Sequence, residues 1–213
     1  MSTSLTTLLT RTRDHLDESS ADRFSDAELT RYINQGMRQV QSQIQAANED
    51  YFIRVETPTA ASGSYQLAFP ADIWGNKLRG VWFYQGASAV GTAYRAAPAS
   101  LESIYSNLVS SGYPEKYCFH AGFIRWSPML SVDGTFRFIY AMKENELVAG
   151  VDVLGQIADE HTDCISLYAA FMARAKISAD AKTYYELYTK RMQQIMNDVQ
   201  PTDPFCIPQI AID

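Results

Sequence analysis

Near the start of the chain apolar residues recur at helical spacing. Leu29, Ile33, Met37, Val40 and Ile44 form one stripe at three- and four-residue steps, which predicts a helix reaching about Ala47. Its first turn is announced by Phe24-Ser25-Asp26-Ala27-Glu28-Leu29. Ser25 can accept from the backbone N–H of Glu28 while the Glu28 side chain reaches back to Ser25, a capping box, with Phe24 and Leu29 in the staple positions. Asp26 and Glu28 also set negative charge on the positive end of the helix. Leu5, Leu8, Leu9 and Leu16 predict a shorter helix ahead of it, across the polar stretch Asp17 to Arg23, and the two should pair as a hairpin.

After Asp50 the period shortens. Tyr51 to Thr57, Ser64 to Phe69, Leu78 to Tyr84, Tyr117 to Trp126 and Thr135 to Met142 are aromatic and β-branched runs broken by Gly, Pro and Asp, and they read as strands. Phe136, Phe138 and Tyr140 alternate with Arg137 and Ile139 just beyond the turn signal Asp133-Gly134. One helical interruption, Ser100 to Val109, puts Leu101, Ile104, Tyr105 and Leu108 on one face. Helical spacing returns with Cys164, Tyr168, Phe171, Met172 and Ala175, then with Ala181, Tyr184, Tyr185, Tyr188, Met192, Ile195, Met196 and Val199, and Pro201 ends it.

Neither terminal pair of helices can cover its own stripe, so the first pair is expected to pack on the last. The expected fold is α+β: an antiparallel helical bundle from residues 1–50 and 159–199, with a small antiparallel β-sheet or sandwich and one short helix inserted over 51–158. Residues 200–213 form an extended tail. Pro201, Pro204 and Pro208 exclude a helix interior there, yet Phe205, Ile207, Ile210 and Ile212 are too apolar for a solvated end. The tail either folds back on its own domain or docks extended on another chain through those four residues.

Charge narrows the function classes. The formal net charge is −6, and splitting the chain at Asp50 and Gly150 gives −3, +1 and −4. Proteins that grip nucleic acid show basic patches, because phosphate neutralisation supplies much of their affinity, and no such run exists here. Trp74, Trp82 and Trp126, with 13 Tyr and 10 Phe, could suggest base stacking, but they fall on strand positions and read as core or protein interface. No basic start precedes an apolar run, and no stretch is long and apolar enough to span a membrane, so neither secretion nor insertion is expected. Cys118, Cys164 and Cys206 are odd in number and widely spaced, which fits neither a disulfide framework nor zinc, and a reducing compartment is expected.

Catalytic chemistry finds few carriers. Asp159-Glu160-His161-Thr162-Asp163-Cys164 has the look of a ligand group, but acids at a helix start are what the helix dipole favours. Cys118 and His120 share a strand face, the one pair that could support a thiol nucleophile, though it lacks an orienting group, and packing of Cys118 is the simpler reading. His15 sits in a polar helix end. Gly86-Ala87-Ser88-Ala89-Val90-Gly91 misses the nucleophile-elbow spacing by one residue, and neither a dinucleotide turn nor a phosphate loop is present. No catalytic residue, cofactor or metal is therefore assigned, and the chain is expected not to be an enzyme.

Several features together resemble the head-to-tail adaptor (connector) proteins of tailed bacteriophages, including the tail tubular protein A type adaptors of short-tailed phages. Phe24-Ser25-Asp26-Ala27-Glu28-Leu29 followed by Tyr32-Ile33-Asn34-Gln35 is similar to that family's helix opening. Gly63-Ser64-Tyr65-Gln66-Leu67 with Pro70 and Asp72 resembles its strand and turn, with one added residue before the proline. Tyr113-Pro114, Tyr117, Ile124, Trp126, Pro128, Phe136, Phe138 and Tyr140 are similar to its paired strands around a proline turn. The resemblance implies a structural virion protein of the neck, made in the host cytoplasm: a ring, usually twelvefold, beneath the portal protein, extending the DNA channel and receiving tail or nozzle proteins. Duplex DNA would pass without specific binding. A stopper or tail completion protein is the alternative within the structural class, and a cysteine-dependent enzyme or a nucleic-acid module the alternatives outside it.

Overall fold

A computed structural model of the chain describes residues 3–18, 23–87, 89, 91–177 and 180–200. Among the described residues the fold is α+β, with five α-helices and a curled, mostly antiparallel sheet. Two compact units divide it, Met1–Tyr51 with Glu144–Asp213, and Phe52–Lys143.

In the first unit the helices are α1 (Leu5–Leu16) and α2 (Asp26–Ala47), then, after a 3-10 turn over Asp159–His161, α4 (Asp163–Lys176) and α5 (Ala181–Val199). α2 begins where its cap predicts: the Ser25 side chain accepts from the Glu28 N–H at 3.3 Å. Only half of the capping box forms, because the Glu28 carboxylate instead takes Lys176 Nζ at 2.6 Å and the Tyr32 hydroxyl at 3.0 Å. Leu29, Ile33, Met37, Val40 and Ile44 are all fully buried, as their spacing requires.

α4 packs against α1, α2 and α5, and the face it buries is not the large-residue stripe expected from sequence. Cys164, Ile165, Ser166, Ala169, Ala170 and Ala173 are buried, while Tyr168, Phe171 and Met172 are half-buried and Ala175 is exposed. Small residues win the central positions because they let helix backbones approach closely. Gly36 of α2 belongs to the same contact: a Cβ there would come within 3.1 Å of the Ile165 carbonyl. The displaced aromatics meet α5, Tyr168 against Tyr188 at 5.3 Å and Phe171 against Tyr185 at 5.2 Å between ring centroids.

The described residues of the second unit hold α3 (Leu101–Ser106) and ten strands: β1 (Ile53–Glu56), β2 (Thr59–Ala60), β3 (Gln66–Ala68), β4 (Ile73–Gln85), β5 (Ala93–Pro98), β6 (Ser111–Gly112), β7 (Lys116–His120), β8 (Phe123–Ser127), β9 (Met129–Leu130) and β10 (Gly134–Met142). The main sheet runs β1-β10-β4-β5-β7-β8-β3, with β2 also on β10. The single run expected over Tyr117 to Trp126 is a hairpin, turned by Ala121 and Gly122 at positive φ. The sheet is not wholly antiparallel. β5 pairs β7 in parallel, as does β6 with β9. Parallel neighbours need a crossover, and α3 lies in the connection from β5 to β7.

The core of this unit is aromatic. Phe83, Trp126, Phe136 and Phe138 are buried, with ring centroids 4.4 Å apart for Trp126 and Phe136 and 5.2 Å for Phe83 and Phe136. The buried indole satisfies its N–H by donating to the Ser64 carbonyl at 3.2 Å. Gly134 is glycine because Phe83 and Tyr84 crowd it: a Cβ would lie 2.5 Å from the Tyr84 carbonyl oxygen.

Candidate functional site

The groups singled out for chemistry do not converge. Cys118 is buried, and desolvation raises its thiol pKa, whereas His120 is exposed two residues along β7. In the acidic run Asp159 accepts from Thr3 at 2.7 Å and Asp163 faces Arg11 at 3.2 Å. Cys164 turns inward, its sulfur 3.8 Å from that of Met192, and burial pushes its thiol up to about 12. Each donor thus serves a different neighbour. Among the described residues no group of three or more His, Cys, Asp or Glu is arranged to hold a metal ion. No helix among them is long and apolar enough to cross a membrane. Trp126 is core and Trp82 lies under the Arg95 guanidinium. Phe205, Ile207, Ile210 and Ile212 lie outside the described residues.

What the helical unit builds is an open groove. The segment 144–157 has no regular structure, yet side chains fix nearly every turn of it. Asn34 on α2 donates to the Leu147 carbonyl at 2.8 Å and accepts its N–H at 2.9 Å, standing in for a strand neighbour. Gln41, buried on the same helix, accepts the Glu144 N–H at 3.1 Å. The Glu144 carboxylate in turn gathers the N–H groups of Gly155 at 3.2 Å, Ile157 at 3.0 Å and Gln156. Asp152 does the same for Val148 and Ala149, at 2.7 and 2.8 Å, and those two donors hold its carboxyl below the usual carboxylate range.

The consequence is an ordered loop that displays apolar side chains. Leu147 is buried, but Val148 is 80% and Val151 83% exposed. Val148 overlooks a groove of ≈ 970 Å³ whose walls are Leu9 and Arg13 of α1, Thr30, Asn34 and Arg38 of α2, and the loop itself. Its rim is charged: Arg13 meets Asp26 at 2.6 Å, Arg38 pairs with Glu146, and Arg31 stands 3.9 Å from Glu28. Among the described residues no histidine or cysteine lines it. A surface of this kind can hold an extended apolar segment between charged edges.

Asn34, Gln41, Glu144 and Asp152 were not anticipated from the sequence as organising residues. Asp152 carried a weak signal, since an Asp just after Gly150 and Val151 can turn its carboxylate onto nearby N–H groups. Glu144 carried none, because its partners are eleven to thirteen residues away.

A family model described as SU10 adaptor protein matches residues 3–205, nearly the whole chain. The chain belongs to that family. The adaptor is accordingly a structural component of a phage virion and not, at the level of the family, an enzyme. No curated protein matches it. The family match extends through the loop, the groove and the aromatic sheet alike, so neither unit of the adaptor is an appendage peculiar to this sequence.

Proposed function

We propose that the adaptor assembles as a ring, twelvefold as in the adaptors it resembles, beneath the portal at the capsid vertex. There it fills the role of the tail tubular protein A type adaptors of short-tailed phages, extending the DNA channel and presenting a docking surface to tail or nozzle proteins. The helical unit is the bundle of this reading and the sheet unit its insertion. The observation that carries the proposal is the family match over residues 3–205. The net charge of −6 agrees with a channel past which duplex DNA slides without adhering.

A ring needs heterologous contacts that close, one patch of each copy meeting a different patch of the next. Phe205, Ile207, Ile210 and Ile212 are proposed to anchor an extended arm on a partner chain, the portal first, with Pro201, Pro204 and Pro208 limiting the entropy lost on ordering. Electron microscopy of the purified chain mixed with its portal should show an added ring of density, and a portal that stays bare would refute the assignment. Deleting the residues after Gln200 should leave the chain folded and weaken attachment; unchanged attachment would remove the arm from the proposal.

A further inference from the structure

We infer that the valine-bearing loop 144–157 of one copy docks on the outer face of the β1-β10-β4-β5 sheet of the next copy. The inference rests on the ring proposed above and names two different patches that would close it.

The sheet supplies the receiving patch. Arg137 on β10, Trp82 on β4 and Arg95 on β5 are direct cross-strand neighbours, so they form one row on the face opposite Phe136 and Phe83. Val55 and Ile139, paired between β1 and β10, lie on the same face. The Trp82 ring lies across Gly80, where a Cβ would come within 2.2 Å of it, so the indole is spread along the sheet as a flat apolar platform. Val55 and Arg95 are exposed, and Trp82, Arg137 and Ile139 are half-buried. Arg95 sits over the Trp82 ring at 5.6 Å; Arg137 sits over Tyr84 at 4.9 Å and donates to the Ala89 carbonyl at 3.1 Å. Among the described residues neither guanidinium has a carboxylate partner. The one acid in these four strands, Glu56, lies opposite Phe138 on the other face.

The loop supplies the inserted patch. Val148, Val151 and Val153 are all exposed. The carbonyls on either side of Val151 are pinned to the start of α1, Gly150 accepting from the Thr6 N–H at 3.2 Å and Asp152 from the Leu5 N–H at 2.8 Å. A surface already held in shape loses little ordering entropy when it docks. Asp152 takes only neutral N–H donors, from Val148 and Ala149, so its charge stands among the valines with no cation to balance it.

Charge decides the occupant. The sheet unit, residues 52–143, sums to +3 and the helical unit to −9. Like units repel, so identical copies meet sheet to loop, the head-to-tail contact that generates rings. The valines bury against Trp82, Ile139 and Val55, and Asp152 meets the arginines at the rim. A nucleic acid fits this face less well, because two arginines neutralise few phosphates and the acidic unit repels the rest.

The test mixes two populations of the full chain with the portal, both carrying Cys206→Ser because Cys118 and Cys164 are buried. One carries Val151→Cys and the other Val55→Cys, so a short bismaleimide can join loop to sheet only between copies. This pair should cross-link about tenfold faster than Val151→Cys with Lys182→Cys, a control on the exposed start of α5, since contact raises the local thiol concentration. Arg95→Glu in the Val55→Cys copy should return the rate to the control value with circular dichroism unchanged, and added salt should slow the parent pair. A rate equal to the control, faster joining of two Val151→Cys copies, or no effect of Arg95→Glu would overturn the inference. So would a labelled oligonucleotide that binds the chain and is released by Arg95→Glu. Rings on the portal are scored separately by electron microscopy. Rings without loop-to-sheet links refute this contact alone, and links without rings refute the proposed attachment alone.

Discussion

In the sheet unit large aromatic side chains fill the interior: Trp126, Phe83, Phe136 and Tyr140 are fully enclosed. In the helical unit α4 inverts that order: it buries Ser166, Ala169, Ala170 and Ala173 and leaves Tyr168 and Phe171 partly exposed. One core is filled by volume, the other by close approach of backbones. The two should therefore fail in opposite ways, the first when volume is removed and the second when it is added.

Removing volume is the harsher test. Phe136→Ala should cost about 3–5 kcal/mol, the range for deleting a buried aromatic ring, read as a fall in the denaturation midpoint at constant slope. Phe136→Leu should recover most of it. A mild Phe136→Ala would show that the sheet core is loosely filled and that the comparison is misdrawn.

Next in size is the loop that both hides Leu147 and displays Val148. Glu144→Ala strips the acceptor from three backbone N–H groups and should destabilise by about 2 kcal/mol, because the buried Ile157 N–H is left without a partner while those of the exposed Gly155 and Gln156 turn to water. Hydrogen exchange should accelerate at Gly155, Gln156 and Ile157 first. If those amides stay protected, some other acceptor holds the loop.

Adding volume to the helical core comes third. Ala170→Leu should cost about 1–3 kcal/mol by pushing α4 away from its neighbours, although leucine is a good helix former and more apolar. The same reasoning explains what was legible in the sequence. The stripe on α2 is readable because Leu29, Ile33, Met37, Val40 and Ile44 are both large aliphatic residues and the fully buried ones of their helix. The α4 stripe misleads because large apolar residues ordinarily mark the buried face, a rule that close packing reverses. Strand β5, Ala93–Pro98, was missed because alanines and a proline carry little β preference and its place is set by β4 and β7 alongside. The groove was illegible for a different reason: it depends on Asn34 and Leu147 meeting across more than a hundred residues, which no local pattern records.

The smallest effect concerns the ends of helices, where neither rule applies. Glu28 opens α2, Lys176 closes α4, and their 2.6 Å ion pair ties two helices whose interiors are held by close packing. The pair's hydrogen bond lowers the Glu28 pKa and raises that of Lys176. Since the Glu28 carboxyl is depressed in the folded state, its contribution to stability is fully present above the ordinary carboxylate value and drains away as pH falls through the folded value. The raised lysine gives the mirror image, present below its ordinary value and lost as pH rises through the folded one. Both windows lie away from neutrality, so stability should be flat near pH 7 and sag below pH 4.5, the ordinary Glu value. Lys176→Met should flatten part of that acid limb while leaving the aromatic sheet core untouched. Glu28 would then keep the Tyr32 hydroxyl and the nearby Arg31 guanidinium. An acid limb identical in both proteins would mean that the pair is a surface contact with no hold on the packing of α2 against α4, and that close approach alone keeps those helices together.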